Sequence, residues 1–393
     1  MPKTNRKSNT RAAQGEGSIR QRPDGRWEAR YTAGRDPGTG RQVQKSVYGA
    51  TQKEVLKQLQ QIQADMERGV FLEPSKMTVA QWLDIWLAEY MDSAKPATVN
   101  SYKAQTKNHI KPALGAVKLQ KLSPHHIQQF CNDLNRQKGL SPKTVKNIHG
   151  VLHTALRQAL ENDYIRSNPA DRTNLPRVEK LEIETLPEDK IAAFVERTAS
   201  LQFGTIYFVT LFTGLRQSEA LGLTWDTIDF EKGCILVRRQ LVKNRETSVY
   251  EFQSLKNDKP RTVTPARAVM QRLWLHRREQ NEQRARAGEA WDNPMNLVFT
   301  NPFGDYLVHV TVYKHYKRLV AELGIPELRF HDLRHTYAVN ALQSGDDIKT
   351  VQGNLGHHTA AFTLDTYGHV TEKMQRDSAD RMEQFIQAHA KTG

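Results

Sequence analysis

Apolar and polar residues alternate with a period of two in Trp27-Glu28-Ala29-Arg30-Tyr31-Thr32 and again in Val43-Gln44-Lys45-Ser46-Val47-Tyr48, which predicts strands with one buried face each. Asp24-Gly25 marks a tight turn and Gly34 to Gly40 a looser one, so three short strands are expected. The period then lengthens to that of a helix. Val55, Leu56, Leu59, Ile62 and Met66 share one face from about Gln52 to Arg68, giving the small sheet something to pack against. From Thr78 to about Arg172 the pattern is helical throughout. Val79, Leu83, Trp86, Leu87 and Tyr90 form one stripe; Val145, Ile148, Leu152, Leu156 and Leu160 form another behind the capping Ser141 and first-turn Pro142. Asn168-Pro169, Pro176 and Pro187 punctuate a polar stretch, and Met374, Met382, Phe385, Ile386 and His389 predict a last amphipathic helix.

These changes of pattern divide the 393 residues into a flexible basic arm (1–15), a sheet-plus-helix domain (16–74), an all-helical domain (77–172), a linker (173–186) and a larger domain (187–393) ending in a helix. Lys and Arg number 57 against 43 Asp and Glu, a net charge of +14 that favours a polyanion as partner. Arg20, Arg22, Arg26, Arg30, Arg35, Arg41 and Lys45 fall on the predicted strands and turns, and a two-stranded ribbon fits the major groove of DNA. Lys95, Lys103, Lys107, Lys111, Lys143, Lys146 and Arg157 lie off the apolar stripes, where they can meet phosphates. Two cysteines, Cys131 and Cys234, provide neither a disulfide framework nor a cysteine-based zinc site. No run approaches the roughly 18 apolar residues of a membrane span, and the polar N-terminus lacks the core of a signal peptide, so the chain reads as cytosolic.

The chemistry concentrates in four short motifs: Thr213-Gly214-Leu215-Arg216-Gln217-Ser218-Glu219, His331-Asp332-Leu333-Arg334-His335, Leu355-Gly356-His357 and Thr366-Tyr367-Gly368-His369. When a phosphodiester is attacked, charge grows on its non-bridging oxygens, and fixed cations must meet it. Guanidinium forks suit that task, which makes Arg216 and Arg334 the natural clamp. Glu219, one helical turn beyond Arg216, can orient its guanidinium. Tyr367 is the natural nucleophile, and its phenol needs a base and positive surroundings. His331 and His335 at i, i+4, with His357, His358 and His369 nearby, would also suit a metal, but the glutamate of the zinc-protease pattern is absent and Arg334 intervenes. No phosphate-binding loop or dinucleotide fingerprint occurs, so neither metal nor cofactor is expected.

In this order and spacing the motifs resemble those of the tyrosine recombinases, or phage-type integrases, including the longer integrases of phages and conjugative transposons. The resemblance implies a multidomain chain. A small three-stranded sheet with a helix binds arm sites, an all-α domain binds core sites, and a mainly α catalytic domain carries a small sheet. It implies Arg216, Lys256, His331, Arg334, His357 and Tyr367 as catalytic residues, with His331 accepting a proton, His357 hydrogen-bonding the scissile phosphate and Glu219 supporting Arg216. The family's lysine lies on a β-hairpin between the arginine motifs, a few residues before an Arg-x-(Val/Ile) strand. Here that hairpin is expected to run from Cys234–Arg239 to Arg261-Thr262-Val263 with Lys256 at its turn, and Lys259 as competitor. His335 is expected only to pack or orient.

The resemblance further implies integration or excision of a mobile element through a 3′-phosphotyrosyl intermediate, without ATP. Expected partners are attachment-site DNA at core and arm sites, copies of the same chain in a tetramer on DNA, and an accessory excision factor, in the bacterial cytoplasm and at the nucleoid. Whether the C-terminal helix docks on its own protomer or a neighbour stays open. The rival readings are a type IB-like topoisomerase and a non-cutting DNA-binding regulator derived from an integrase.

Overall fold

A computed structural model of the chain describes residues 18–36, 38–67, 76–179, 183–244, 247–256, 259–357, 359–367 and 372–390. The expected basic arm, His358 and His369 lie outside these residues. The chain divides into two compact units, meeting near residue 180, within the stretch read as the linker.

In the first unit, β1 (Ser18–Gln21), β2 (Trp27–Arg35) and β3 (Gln42–Gly49) form an antiparallel sheet in that order, followed by α1 (Gln52–Glu67). Ile19, Ala29 and Val47 stand opposite one another, and Ala29 and Tyr31 bury against Val55 and Leu59 of α1. The period-two pattern thus becomes one apolar face under a helix and one open face. Leu56, expected in the α1 stripe, is 41% exposed.

The helical part comprises α2 (Val79–Glu89), α3 (Pro96–Gln105), α4 (Lys111–Leu114), α5 (Pro124–Arg136) and α6 (Pro142–Glu161). Thr78 and Gln81 make reciprocal capping bonds at the start of α2, and Ser123 and Ser141 cap α5 and α6, satisfying backbone N–H groups that a helix start leaves open. Trp82 and Trp86 lie at the centre of the core, and Trp82 Nε1 donates to the Ala155 carbonyl at 2.9 Å, so its one polar atom is satisfied. Tyr90, expected in the α2 stripe, is 36% exposed. Arg166 forms an ion pair with the buried Asp65 of α1, tying the sheet-plus-helix part to the bundle.

The second unit holds α7 (Glu188–Ser200), α8 (Gly204–Thr213), α9 (Gln217–Leu221), β4 (Ile228–Asp229), β5 (Cys234–Val237), β6 (Arg239–Lys243), β7 (Tyr250–Ser254) and β8 (Arg261–Val263). After these come α10 (Arg267–Ala287), α11 (His309–Glu322), α12 (Asp332–Gln343), α13 (Ile348–Leu355), α14 (Ala360–Tyr367) and α15 (Glu372–Ala390). α8 is buried nearly all round, and Tyr207 makes edge-on contacts with Tyr316 and Phe330 in the core. β5 pairs with β8 as expected, in the order β4-β5-β8. The segment between them is not a simple turn, however: β6 and β7 form a second hairpin there.

Gly214 ends α8 in the left-handed region (φ 66°), and a Cβ there would lie 2.5 Å from the Tyr337 ring and 2.7 Å from Leu355. Both conformation and space therefore demand glycine where α8, α12 and α13 meet. Gly214→Ala is expected to destabilise the chain by roughly 2–4 kcal/mol, combining left-handed strain with overpacking. Guanidinium unfolding of the two proteins measures this, and equal midpoints would refute the fit described.

Candidate active site

Glu219, 1% exposed, joins three elements. Its carboxylate accepts from the Arg216 backbone N–H at 3.0 Å and Nη1 at 2.7 Å, and from Arg261 Nη1 and Nη2 at 3.2 and 2.6 Å. Arg261 Nε also donates to the Asn354 carbonyl at 2.7 Å, so β8 connects α9 to the end of α13. A Cβ on Gly356 (φ 64°) would come within 3.1 Å of the Arg261 guanidinium, which explains glycine at that left-handed helix end. Burial alone would raise the Glu219 pKa. The hydrogen bonds and charge of Arg261, with the charge of Arg216, outweigh it and hold the value at about 2.

Arg334, 1% exposed, donates through Nη1 to the Gly214 carbonyl at 2.7 Å and through Nη2 to the Leu355 carbonyl at 2.6 Å. Among the described residues two of its five N–H donors are thereby used, which leaves the rest for an anion. Burial and the neighbouring Arg216 lower its pKa to about 9, which leaves it charged at neutral pH. One turn before α12, Arg329 pairs with the buried Asp332 at 2.8 Å. Thr336 of α12 accepts the Leu186 N–H at 2.8 Å, anchoring the chain's entry into this unit.

Tyr367 closes α14, its side chain packed with Ala338, Leu342, Val351 and Leu355. Burial raises its phenol to about 12, although the charges of Arg334 and Arg216 pull the other way. The His357 ring stacks with Tyr367 at 6.1 Å between centroids and 9° between planes, and His357 Nδ1 lies 2.9 Å from Thr363 Oγ1. Desolvation and the cations Arg334 and Arg216 depress the His357 pKa to about 3. His331 stands on the exposed rim; crowding by protein atoms, His335 and the same arginines lowers it to about 4. All these imidazoles are neutral at pH 7.

The group bonded to the tyrosine is His335, whose Nδ1 lies 2.6 Å from Tyr367 Oη. His331 was expected to accept a proton and His335 only to pack or orient; the two lie one turn apart at the start of α12, and α14 brings Tyr367 to the second. Arg261 was likewise read as a strand residue alone. Only the i, i+4 spacing and the Arg-x-Val pattern could have drawn attention to either.

Lys256 is exposed in the connection after β7, five residues before Arg261, and Lys259 is exposed beyond it. Of the residues assigned to DNA contact, Arg20 and Arg30 stand on the open sheet face, paired to Glu28 at 2.7 and 3.3 Å. Arg22 lies over the Tyr48 ring, Arg26 pairs with Asp24 at 2.8 Å, and Arg41 is exposed before β3. Lys45 departs from the expectation. It stands opposite Tyr31, so strand alternation puts it on the face that carries α1. Lys103, Lys107, Lys143 and Lys146 are exposed on α3, the turn after it and the start of α6.

A site of two guanidiniums, imidazoles and a phenol, on a mainly helical unit with a small sheet, defines a class of DNA-cutting enzymes that use a tyrosine. Residues 185–374 match the phage integrase family, and residues 78–135 match the phage integrase N-terminal SAM-like domain. A XerC-like tyrosine recombinase of Caldanaerobacter subterraneus subsp. tengcongensis is 30% identical over 369 residues, covering 89% of this chain and 94% of that protein. The Tn1549 transposon integrase, solved in complex with a circular intermediate DNA, is 22% identical and covers 78% of this chain and 100% of its own, with a TM-score of 0.67. A lambda integrase tetramer bound to a Holliday junction is 18% identical and covers 90% of this chain and 96% of its own, with a TM-score of 0.52. The chain belongs to the phage integrase family of tyrosine recombinases. It is a site-specific recombinase of the integrase type, and it breaks and rejoins DNA.

The Glu219 pKa makes a stability prediction. Because it is depressed from 4.5 to about 2 on folding, its contribution is complete above pH 4.5 and is lost as pH falls through about 2. Glu219→Gln should cost roughly 3 kcal/mol at pH 7, and the gap between variant and wild type should narrow by pH 3. Denaturant titrations at the two pH values provide the comparison; a gap unchanged with pH would mean that Glu219 carries no such charge.

Proposed function

We propose that this recombinase integrates or excises a mobile element, cutting each strand by attack of Tyr367 Oη on the scissile phosphate. The Oη–P bond forms as the P–O5′ bond breaks, giving a 3′-phosphotyrosyl ester and a free 5′-hydroxyl. Attack by a 5′-hydroxyl on that ester rejoins the strand, so the energy of the broken link is kept and no ATP is needed. Arg216 and Arg334 bind the non-bridging oxygens, His357 hydrogen-bonds the phosphate, and Lys256 protonates the leaving oxygen. His331, neutral at the rim, completes the catalytic set, edge-on to the ring of His335.

The observation that carries this reading is the convergence on one phenol. His357 stacks on Tyr367, and Arg216 and Arg334 both act on its ionisation from separate helices. Residues 16–74 take arm sites through the open sheet face, 77–172 take core sites, and 187–393 carry out the chemistry, with 173–186 as linker. The lambda integrase tetramer on a Holliday junction supports a tetramer as the working form, with an excision factor as an accessory partner. The chain acts in the bacterial cytoplasm, at the nucleoid.

The test uses nicked duplexes spanning the ends of the element, with adduct and binding measured together. The wild type should form a denaturation-resistant adduct, and Tyr367→Phe should bind equally and form none. Arg216→Ala and Arg334→Ala should bind but cleave roughly 10²-fold or more slowly. An adduct on Tyr367→Phe would displace Tyr367 as nucleophile. Binding without any wild-type adduct would favour a regulator, and supercoil relaxation without strand exchange a topoisomerase.

A further inference from the structure

We infer that His335 is a catalytic residue of the cleavage step: its Nδ1 takes the hydroxyl proton of Tyr367 as Oη bonds to phosphorus, and returns it when the strand is resealed. This rests on Tyr367 being the nucleophile. The geometry is already that of a base on its acid, with 2.6 Å between Nδ1 and Oη, within the range of a direct proton transfer. The rings meet at 53° with centroids 5.6 Å apart, which presents the ring nitrogen rather than the ring face to the hydroxyl. Among the described residues no hydrogen bond joins His331 to Tyr367. His331 stands edge-on to His335 instead, 4.9 Å between centroids.

His335 begins neutral, with its proton on Nε2 and Nδ1 open as acceptor. As Oη attacks, the O–H bond breaks and the imidazole becomes imidazolium; O5′ departs with a proton from Lys256. In resealing, a 5′-hydroxyl attacks phosphorus and gives its proton back to Lys256, the Oη–P bond breaks, and the imidazolium returns its proton to Oη. The titratable and charged groups around the pair are Arg329, His331, Asp332 and Arg334 from α12 and the turn before it, Arg216 from α9 and His357 beside α14. Burial and the nearby arginines keep His335 below the ordinary histidine range, while Asp332 favours the imidazolium. Without DNA the proton therefore stays on the phenol. Its transfer has to accompany formation of the new bond.

The experiment follows adduct formation against pH on the duplex that the wild type cleaves, using His335→Ala, His335→Asn and His331→Ala. His335→Ala should bind DNA normally, cleave roughly 10²–10⁴-fold more slowly, and recover in part with added imidazole. Its rate should also climb with pH across a range where the wild type is level, because hydroxide must then do the work of the lost base. His335→Asn can still hold the hydroxyl but cannot take its proton, so it should stay slow. His335→Ala cleaving within about threefold of wild type would overturn the inference, since a base contributes roughly 10²-fold or more. Full activity in His335→Asn would also overturn it, reducing His335 to a positioning residue, and so would the rise of rate with pH appearing in His331→Ala but not in His335→Ala. In DNA-free protein carrying ¹³Cζ-labelled tyrosine, the Tyr367 resonance should move in His335→Ala; an unmoved resonance sinks the contact itself. That measurement needs no cleavage, so it stands apart from any failure of the recombinase reading.

Discussion

Three guanidiniums, those of Arg216, Arg261 and Arg334, are drawn toward one small volume, and the buried carboxylate of Glu219 makes this possible. Taking a single charge out of water costs several kcal/mol, and a cluster of like charges costs more. Glu219 holds two of the three directly, and backbone carbonyls satisfy the third. One carboxylate does not neutralise three cations, so the free site keeps an excess of positive charge, which a phosphate undergoing attack would complete. The same field acts on the imidazoles. Together with burial it drives His331 to about 4 and His357 to about 3, so they enter the chemistry neutral.

Close approach of the backbone is the second requirement. Arg334 reaches the carbonyls of Gly214 and Leu355 where α8 and α13 end in left-handed glycines, whose missing Cβ atoms leave room for Tyr337 and Leu355 at the first and for Arg261 at the second. Asn354 ties α13 to α12 through the Tyr337 hydroxyl at 2.8 Å and to β8 through Arg261. The residues of the site are thus fixed by helix ends, where unpaired carbonyls are available as acceptors. A clamp built in this way needs little rearrangement when charge develops.

The first unit repeats the device at its surface. Glu28, 2% exposed, lies in the sheet face opposite α1 and accepts from Arg20, Arg30 and Ser46, so two arginines are held in place on that face. Such pre-orientation lowers the side-chain entropy lost on contact with a phosphate or a base edge. Asp65 and Arg166 serve a different purpose, fastening α1 to the helical bundle across a large gap in sequence.

The small sheet and its helix were legible because strand and helix periods are local, and so were the two helical stripes. The four motifs were legible because phosphate chemistry accepts few substitutes for guanidinium, imidazole and phenol, whatever the surrounding chain. Leu56, Tyr90 and Lys45 were misjudged where a local period met a particular neighbour or a strand parity. The β6–β7 hairpin was hidden because strand pairing is a long-range choice that alternation does not specify. The sequence alone determined which groups are available to the reaction. The tertiary structure decided which of them touch: Arg261 reaches Glu219 across 42 residues and His335 reaches Tyr367 across 32. Two histidines one turn apart are equivalent along a helix, and only the packing of α14 against α12 makes one of them the neighbour of the phenol.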